Sequence, residues 1–395
     1  VKMNYLSASK AELTALYNEL RAAYDAECAK GLSLDLSRGK PSAEQLDLSM
    51  KMLDVLNSRS VLDSEDGTDC RNYGGLDGLI ELKHLFSQIM GVDHSQIIVG
   101  GNSSLNMMYD TIAQAMTHGL GGEPWMKQGT VKFLCPVPGY DRHFGICQYF
   151  GIEMINIPLY EDGPDMDMVE EYVNHDASVK GIWDIPKYSN PSGVVYSDET
   201  VRRFAALKPA AKDFRIMWDN AYCIHDISDT PDTLLNIYDE CKKAGNEDMP
   251  IMFCSTSKIT FPGAGVAAMA ASENNMKAFL KRYNYQVISY DKLNMLRHVK
   301  FFGNYDGLME HMQKHRAVLE PRFNAVIKKL EDNLSGYGIA QWLNPKGGYF
   351  VSVDVYEGCA KRTVQLCKEA GVVLTGAGAT FPYGNDPKDS NIRLA

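Results

Sequence analysis

One short stretch of the chain, Cys254–Gly265, combines the residue types that nucleophilic catalysis requires. An apolar run at residues 250–254 predicts a short buried strand, and hydroxyl residues and then Lys258 follow it. A lysine that loses water at such a position has a lowered pKa, so part of its amine is neutral and attacks carbonyl carbons. The neighbouring hydroxyl groups are suitable phosphate ligands. This is the pattern of a Schiff-base lysine beside a phosphate site, as pyridoxal phosphate requires, although ordinary solvated loops also contain such residues.

Polar residues also follow other predicted strands, at the carboxyl end of each. Short apolar runs predict strands at residues 97–99, 131–135, 153–157, 181–185, 214–218 and 250–254. The polar residues that follow four of these strands are Tyr140, Asn190, Asp219 with Tyr222, and Lys258. In a parallel sheet the carboxyl ends of the strands lie at one edge, and ligands bind beyond that edge. We therefore expect these side chains to converge on one site.

The order of helices and strands predicts the fold. From about residue 70 they alternate, which is typical of an α/β protein with a large, doubly wound, mostly parallel sheet. Within this part, the small residues of Gly100–Ser104 join a strand to a helix, where free N–H groups and the helix dipole favour an anion. A helical stretch at about residues 303–333 then leaves the sheet, and alternating valines at 351–355 predict a strand of a smaller α+β domain.

We expect three segments from these patterns. Residues 1–65 form an N-terminal arm and part of the small domain, residues 66–295 form the large domain that binds the cofactor, and residues 296–395 form the small C-terminal domain. The arm contains a helix that starts with the spacing of a capping box, Ser9 to Glu12. The apolar residues on one face of this helix are Leu13, Leu16, Tyr17, Leu20 and Tyr24.

Composition and charge narrow the class of protein. The chain has 395 residues, of which 45% are hydrophobic and 23% charged, as in ordinary soluble globular proteins. A net charge of −10 argues against nucleic acid and anionic membranes as partners, and no apolar run approaches the ~20 residues that span a bilayer. The nine cysteines contain no C-x-x-C pair, and the N-terminus has no signal-peptide pattern. We therefore expect a cytoplasmic protein without a disulfide framework or a structural zinc site.

His311 and His315 have the i, i+4 spacing of a zinc-binding pair on a helix. In metalloprotease helices of that kind a glutamate follows the first histidine, whereas here the residue is Met312. We therefore expect no metal site in this chain, and we place the two histidines on a solvated helix face.

The order of the polar residues resembles that of a known family. Class I aminotransferases, which are pyridoxal-phosphate enzymes of the aspartate aminotransferase fold (fold type I), contain the same ordered set: Asn190, Asp219 with Tyr222, Ser255-x-Ser257-Lys258, and Asn391-x-Arg393. The resemblance extends from Gly39 to Arg393. The sequences at residues 101–104, 138–143 and 257–265 look most like a divergent bacterial branch described as aspartate aminotransferases.

The resemblance implies a role for each residue around the reactive lysine. Lys258 would bind pyridoxal 5′-phosphate as a Schiff base and move the proton of the substrate's α-carbon. Asp219 would pair with the protonated ring nitrogen, so that the ring acts as an electron sink. Asn190 and Tyr222 would hydrogen-bond to the phenolic oxygen of the cofactor, and Tyr140 would stack on its ring.

The resemblance also implies how phosphate and substrate are bound. The phosphate ligands would be Ser103, Ser104, Ser255 and Ser257, together with Tyr73 from a neighbouring subunit. Gly39 and Asn190 would contact the substrate, and Arg393 would bind its α-carboxylate in a bidentate pair that lysine does not form. Because Tyr73 would serve the partner's cofactor, we expect a homodimer with shared active sites.

The cations of the expected site differ from the family pattern in one position. The family usually has an arginine eight residues after the lysine, on the phosphate, and here that position is Val266. Serines and main-chain N–H groups, or another cation, would then hold the phosphate. An acidic substrate also needs a second cation for its distal carboxylate, and the candidates are Arg38, Arg142, Lys187 and Arg297.

These features predict an aminotransferase with a ping-pong mechanism, in which an amino acid, aspartate by the resemblance, gives its amino group to a 2-oxo acid such as 2-oxoglutarate. A β-lyase or decarboxylase would share the fold and the lysine, so only substrate tests separate these reactions. A non-enzymatic sensing domain of a DNA-binding regulator is a further alternative, although no basic winged-helix region precedes residue 70. A nucleotide-binding α/β protein is disfavoured because G-x-G-x-x-G and Walker patterns are absent.

Overall fold

The computed structural model describes residues 4–395 and contains three β-sheets within that range. The strands are β1 (Leu34–Leu36), β2 (Ile97–Val99), β3 (Lys132–Val137), β4 (Glu153–Tyr160), β5 (Gly163–Pro164), β6 (Val179–Asp184), β7 (Arg215–Asp219), β8 (Pro250–Ser255), β9 (Ala267–Ala270), β10 (Ala340–Trp342), β11 (Val351–Val355), β12 (Val372–Leu374) and β13 (Asn391–Leu394). The α-helices are α1 (Lys10–Cys28), α2 (Ala43–Asp47), α3 (Ile80–Met90), α4 (Ser104–His118), α5 (Asp141–Tyr149), α6 (Met166–His175), α7 (Asp198–Ala205), α8 (Ile237–Lys243), α9 (Glu273–Gln286), α10 (Lys292–Phe302), α11 (Tyr305–Leu334) and α12 (Ala360–Glu369). Across these described residues, no helix combines the length and apolar character that crossing a bilayer would require.

Eight strands form the largest sheet, in the order β2-β9-β8-β7-β6-β3-β4-β5. The neighbouring strands from β8 to β4 are parallel to one another. β9 runs antiparallel to both β2 and β8, and β5 runs antiparallel to β4. β2 therefore points the same way as the five parallel strands. The carboxyl ends of these six strands lie at one edge of the sheet, where α/β proteins bind their ligands.

Apolar residues alternate between the two faces of this sheet, and helices cover both faces. In β7, Ile216 and Trp218 belong to the core on one face, and Met217 belongs to the core on the other. All six residues of β6 are buried, as expected for a parallel strand between two layers of helices. The predicted α/β fold with a large, doubly wound, mostly parallel sheet is confirmed.

The smaller sheets bring the two ends of the chain together. β10, β11 and β13 form an antiparallel sheet in which Arg393 pairs with Ser352. β1 pairs in parallel with β12, with Leu34 opposite Val372. The N-terminal arm thus lies against the C-terminal part of the chain. The segment boundaries at residues 65 and 295 stay predictions.

The arm helix α1 starts at the predicted capping box. The Ser9 N–H donates to Oε2 of Glu12 over 2.8 Å, and the Glu12 N–H donates to Ser9 Oγ over 3.3 Å. None of the residues of α1 is buried, and Leu13, Tyr17 and Leu20 are 36%, 64% and 50% exposed. The apolar face predicted for this helix is therefore only partly covered by the chain itself: Leu16 and Tyr24 are half-buried, and the Tyr24 hydroxyl donates to the Leu366 carbonyl over 3.1 Å.

Candidate active site

Residues predicted at the strand ends lie together beyond the carboxyl edge of the large sheet. Asp219 ends β7, and Lys258 follows the adjacent strand β8. The Lys258 Nζ atom lies 5.2 Å from the centre of the Tyr222 ring. Burial lowers the pKa of Lys258; the charge of Asp219 opposes this shift, and the charge of Arg393 adds to it. The enclosed amine therefore releases its proton more readily than that of an exposed lysine.

The Asp219 carboxylate is buried and fixed by one of its two oxygens. His143 of α5 donates from Nε2 to Oδ2 of Asp219 over 3.0 Å. The same imidazole stacks on Trp183, with ring centres 4.4 Å apart. Within residues 4–395, the second oxygen of Asp219, Oδ1, has no hydrogen-bond partner. Because an unpaired buried carboxylate oxygen is costly, Oδ1 is suited to a cationic N–H group of a ligand.

His143 is a site residue to which the sequence analysis gave no role, although it lies in the stretch 138–143. The signal was its position on the first turn of the helix that follows β3, three residues after Tyr140. The two rings meet edge to face, with centres 5.0 Å apart. Burial, and next the charge of Asp219, raises the pKa of Tyr140 to about 12. Tyr140 therefore lies beside the Asp219–His143 pair with its hydroxyl protonated.

Aromatic residues enclose the lysine on its other side. Tyr222 is buried, and its ring lies 6.2 Å from that of Tyr349 at an angle of 28°. Burial raises the pKa of Tyr222 far above its ordinary value, so its hydroxyl keeps its proton. His225 is buried beside both rings, and no described residue pairs with either of its ring nitrogens. Burial, and next the charge of Lys258, lowers the pKa of His225. Tyr349 and His225 had not been assigned to the site from the sequence.

Arg393, on β13, is buried and held by groups from three parts of the chain. Its Nη1 donates to Oδ1 of Asn190 over 3.2 Å, and its Nε donates to Thr375 Oγ1 over 3.1 Å. Asp141 Oδ1 lies 3.6 Å from Nη1. Among the residues described, none accepts a hydrogen bond from Nη2. The guanidinium is therefore fixed in orientation while one of its donors is available to a ligand.

Gly39 lies against the same group of residues. A Cβ atom at this position would overlap with the ring of Phe350. That ring also lies under Arg393, whose guanidinium carbon is 5.0 Å from the ring centre. A side chain at residue 39 would therefore displace the aromatic surface on which Arg393 rests.

The four serines predicted as phosphate ligands lie at two strand ends. Ser103 is the N-cap of α4, where its Oγ accepts from the Leu105 N–H over 3.2 Å, and Ser104 is the first residue of that helix. Ser255 and Ser257 follow β8, and their Oγ atoms are 3.1 Å apart. Only β9 separates β2 from β8 in the sheet, so both pairs lie at the same edge. Hydroxyl groups and a helix N-terminus thus provide donors for an anion.

Val266 does not contribute a ligand to this anion site. Its side chain is part of the core on one face of the sheet. Its N–H donates to Thr256 Oγ1 over 3.0 Å, and its carbonyl accepts from the Thr256 N–H over 2.9 Å. Residue 266 therefore stabilises the turn that carries Lys258 instead of supplying a cation.

Tyr73 differs from the other predicted site residues because its side chain is 77% exposed. The backbone around it is nevertheless fixed. The buried Lys292 donates from Nζ to the carbonyl oxygen of Asn72 over 2.7 Å and to that of Gly74 over 2.6 Å. An exposed aromatic side chain on a fixed loop is well placed to contact a second molecule.

Two of the four candidate cations for a second carboxylate lie close to the Arg393 site. Arg38 is exposed beside Gly39, and its charge adds to the effect of burial in lowering the pKa of Arg393. Arg142 is exposed at the start of α5, where its charge acts on Tyr140. In the part of the chain that the structure describes, neither arginine forms an ion pair.

The other two cations are less available. Lys187 is buried, with Nζ 2.9 Å from Asp226 and donating to the Cys223 carbonyl over 3.0 Å. Arg297 is half-buried on α10. The geometry therefore favours Arg38 and Arg142 over these two.

The solvated helix face predicted for His311 and His315 is wrong. Both side chains are buried, and both Nε2 atoms lie 2.8 Å from the carbonyl oxygen of Ile259, next to Lys258. The reason is that this face of α11 packs against the turn that follows β8. Over residues 4–395, no group of three or more His, Cys, Asp or Glu side chains is placed to hold a metal ion.

The site as a whole fits one kind of ligand. The Lys258 amine suits a carbonyl carbon, Asp219 Oδ1 suits a protonated ring nitrogen, and the hydroxyl groups at Ser103 and Ser104 suit a phosphate. Pyridoxal phosphate contains all three groups. The orphaned oxygen of Asp219 is the most specific of these features, because a buried unpaired acceptor calls for a donor from outside the chain.

Comparisons with known proteins agree with this geometry. The chain matches the aspartate amino-transferase family over residues 8–395. It is 47% identical to a putative aminotransferase from Mycolicibacterium smegmatis, over all of this chain and 92% of that protein. It is 44% identical to an aspartate aminotransferase from Corynebacterium glutamicum, over 98% of this chain and 89% of that protein. The crystal structure of an aspartate transaminase from the latter organism has a TM-score of 0.97 at 42% identity, and the match covers 100% of this chain and 93% of that one.

The family match spans almost the whole chain and includes every strand of the large sheet. The identities to two relatives lie well above the level at which only a fold is shared. The resemblance found in the sequence is thus confirmed. The chain belongs to the aspartate aminotransferase family, and it is accordingly a transaminase with pyridoxal 5′-phosphate as its cofactor.

Proposed function

We propose that this transaminase moves the amino group of aspartate to 2-oxoglutarate in two separate half-reactions, a ping-pong mechanism. The observation that carries the proposal is the fixed Arg393 guanidinium with the uncommitted Arg38 close to it. Both substrates are dicarboxylates, and two neighbouring cations match their two carboxylates. The 44% identity to an aspartate aminotransferase supports the same choice of substrate.

In this proposal, Lys258 is the catalytic residue that moves the α-proton of the substrate. Burial lowers the pKa of its amine, so a larger fraction of Nζ is unprotonated than in an exposed lysine and is available to act as the base. Bound pyridoxal phosphate supplies an electron-withdrawing ring that stabilises the charge left on the α-carbon. The rings of Tyr222 and Tyr349 lie 5.2 and 5.9 Å from Nζ and border it with apolar surface.

Asp219, Asn190 and Tyr222 orient the cofactor in the proposed site. His143 fixes Oδ2 of Asp219, which leaves Oδ1 for the protonated ring nitrogen. The Oδ1 atom of Asn190 accepts from Arg393, so the amide nitrogen of Asn190 is the group that remains to donate to the ring oxygen of the cofactor. The protonated hydroxyl of Tyr222 is a second donor for that oxygen.

The substrate binds through its two carboxylates. Arg393 donates to the α-carboxylate from Nη2 and from the second N–H of Nη1, while the first N–H of Nη1 donates to Asn190 and Nε donates to Thr375. The distal carboxylate is bound by Arg38 or Arg142, the two exposed arginines near the site. Gly39 keeps the backbone close to the substrate because Phe350 occupies the space where a side chain would lie.

We further propose that the enzyme is a homodimer in which Tyr73 reaches the phosphate in the partner's site. Two observations support this: the exposed Tyr73 lies on a fixed loop, and Leu13, Tyr17 and Leu20 on the apolar face of α1 are exposed. A second copy of the chain would bury that face.

A cytoplasmic location is supported by nine cysteines that are all free.

The half-reaction tests this proposal. The purified enzyme, loaded with pyridoxal phosphate, is mixed with aspartate in the absence of any 2-oxo acid. We expect the absorption spectrum of the bound cofactor to change and one oxaloacetate to appear per site, and later addition of 2-oxoglutarate should release glutamate and restore the spectrum. Lys258→Ala should form no oxaloacetate, because it lacks the base that moves the α-proton. Oxaloacetate formation only when both substrates are present would overturn the ping-pong mechanism, and pyruvate with ammonia would indicate a lyase.

A further inference from the structure

The turn that carries Lys258 is held from outside by side chains. Within the turn, the N–H groups of Ile259 and Thr260 both donate to the Thr256 carbonyl over 2.9 Å. The carbonyl of Ile259, one residue after Lys258, points away from these bonds and toward α11. The position of that carbonyl therefore depends on groups supplied by other parts of the chain.

Two buried histidines of α11 bind this one carbonyl. The Nε2 atoms of His311 and His315 each lie 2.8 Å from the Ile259 oxygen, and they lie 3.2 Å from each other. A carbonyl oxygen has two acceptor positions, so it can accept one N–H from each ring. The shared acceptor therefore places a hydrogen on Nε2 of both histidines. Ser49 adds a longer contact to the same oxygen, at 3.4 Å.

Gln45 of α2 determines the state of the His315 ring. Its Oε1 accepts from the Ser42 N–H over 3.1 Å, which fixes which end of the amide is the donor. Its Nε2 then donates to Nδ1 of His315 over 3.2 Å and to the Tyr349 hydroxyl over 2.7 Å. Since Nδ1 of His315 receives a hydrogen bond, it carries no proton, and the ring is the neutral Nε2–H tautomer.

Tyr349 extends this connection to the lysine itself. Its hydroxyl oxygen lies 3.5 Å from the carbonyl oxygen of Lys258, and its ring centre lies 5.9 Å from Lys258 Nζ. Gln45 is therefore linked through His315 to the carbonyl of residue 259 and through Tyr349 to the residue before it. All of these side chains except Lys258 itself are buried, so water does not compete for these bonds.

We propose that Gln45 is a positioning residue for Lys258: it holds His315 in the Nε2–H tautomer, and His315 with His311 anchors the turn from which the lysine amine projects. The inference rests on the assignment of Lys258 as the catalytic amine. It goes beyond that assignment because Gln45, a residue of the short helix α2, would then help to orient the amine. Gln45 lies more than two hundred positions before Lys258 in the sequence.

The charges around His315 agree with a neutral ring. Burial lowers its pKa to about 4, and the charge of His311 acts in the same direction. The other titratable groups that face it are Tyr349, across Gln45, and His225, whose pKa would be lowered further by a charged His315. None of the described hydrogen bonds to His315 comes from a carboxylate. A carboxylate in place of the Gln45 amide would accept from Nδ1 and stabilise the charged ring instead.

Nuclear magnetic resonance of the wild-type holoenzyme tests the tautomer directly. Histidines labelled with nitrogen-15 report which ring nitrogen carries hydrogen. We expect His315 to show a protonated Nε2 and an unprotonated Nδ1 at neutral pH, and Gln45→Glu to place a proton on Nδ1 as well. A wild-type ring protonated on Nδ1 would overturn the proposal without any variant being made.

The second measurement tests whether the tautomer of His315 affects the pKa and the catalytic rate associated with Lys258. In Gln45→Leu and Gln45→Glu, we expect the pH midpoint of the absorption change of the bound cofactor to shift, and kcat to fall about 10- to 100-fold, because a displaced reacting group costs that much. Gln114→Leu is the matched control, since Gln114 is a buried glutamine that donates to the Ala278 carbonyl. It should leave both quantities unchanged.

Replacements of His315 separate positioning from simple packing. His315→Gln keeps an amide N–H near the position of Nε2 and should recover most of kcat, whereas His315→Leu should not. Equal loss in both, or an unshifted midpoint in both Gln45 variants, would overturn the proposal. Failure of the proposed function looks different: Lys258→Ala would then keep the wild-type cofactor spectrum, while the tautomer of His315 stayed as inferred.

Discussion

Asp219 and His143 form a buried pair that uses only one of the two carboxylate oxygens. The imidazole Nε2 lies 3.0 Å from Oδ2, and Oδ1 has no partner in residues 4–395. The stacking of His143 on Trp183 fixes the imidazole, and the imidazole in turn fixes the carboxylate. The unpaired oxygen is thus presented in one orientation before any ligand binds, so ligand binding does not have to order it.

The charge of the Asp219 carboxylate should contribute more to the reaction rate than its hydrogen bond does. Asp219→Asn keeps the shape but removes the charge that faces the ring nitrogen. We expect kcat to fall roughly 10²- to 10³-fold, the usual cost of losing one electrostatic contact in a closed site. Single-turnover kinetics with aspartate measure this, and His143→Asn should lose less because it only loosens the carboxylate. A wild-type rate in Asp219→Asn would contradict the role proposed for Oδ1.

The geometry of Arg393 should not tolerate lysine. Arg393→Lys keeps the charge but loses the planar fork that meets Asn190, Thr375 and the substrate together. We expect kcat/KM for both half-reactions to fall by about 10- to 100-fold, as for the loss of one hydrogen bond to a charged group. Arg316→Lys is the matched control, because Arg316 is also held by two groups of the chain, Asp229 and Glu320, and has no role in the proposed site. If the two variants behave alike, Arg393 does not bind the substrate.

A methyl group at residue 39 should impair substrate binding through Phe350. In Gly39→Ala the new Cβ displaces the Phe350 ring, which lies beneath Arg393. We expect KM to rise and the free energy of unfolding to fall by about 1–3 kcal/mol, the usual cost of overpacking. Gly145→Ala, where a Cβ meets nothing within 4 Å, should be neutral or stabilising. Unchanged KM in Gly39→Ala would show that the ring relaxes without moving Arg393.

Arg38 and Arg142 should determine the preference for acidic substrates. Arg38→Ala or Arg142→Ala should lower kcat/KM for aspartate by about tenfold or more, by loss of a contact to a charged group. The activity with alanine, which has no distal carboxylate, should change little. Arg203→Ala, which breaks partly exposed ion pairs with Asp167 and Glu170, controls for a general loss of positive charge. An unchanged ratio of aspartate to alanine activity in both variants would place the second carboxylate elsewhere.

Asp184 should make the stability of the protein depend on pH. Its Oδ1 accepts from the Tyr196 hydroxyl over 2.8 Å, and burial raises its pKa from 3.8 to about 8. The folded state therefore holds the proton more tightly than the unfolded chain. The stability from this group is complete below pH 3.8 and is lost as the pH rises to about 8.

Asp184→Asn removes this titration while keeping the acceptor for Tyr196. We expect the variant to melt at a higher temperature than the wild type at about pH 8, and the difference to shrink at about pH 5. Asp198→Asn, at an exposed position, should show no such trend. Parallel melting curves for Asp184→Asn and the wild type across this range would indicate that Asp184 is charged in the folded state.

Much of this architecture is encoded in local patterns. The strand β2 was predicted at its observed bounds, and β8 within one residue, because a short apolar run between two helices is typical of a buried strand. The meeting of Lys258 with Asp219 followed from the rule that parallel strands end at one edge. Neither inference needed knowledge of how distant segments pack.

The parts that sequence reasoning missed depend on packing. Gln45 contacts His315 across 270 positions of the chain, and no local sequence pattern predicts a contact between residues so far apart. The burial of His311 and His315 did have a signal. Leu308, Met312 and Leu319 of α11 are buried at helical spacing, and the two histidines lie on the same stripe. The i, i+4 spacing of the histidines is typical of a zinc pair, whereas the apolar residues on the same face of the helix indicate that the pair points into the core.

The pairing of β1 with β12 has a consequence for the order in which the enzyme is assembled. The Thr375 hydroxyl donates to the carbonyl of Ser37 over 2.7 Å, and 338 residues separate the two. During synthesis on the ribosome, residues 97–270, with the whole large sheet, emerge before the strand that fixes the loop of Gly39. The ligand-binding edge of the large sheet is therefore synthesised before the strand that holds the Gly39 loop, so the substrate site is completed only when residues 372–375 have joined the fold.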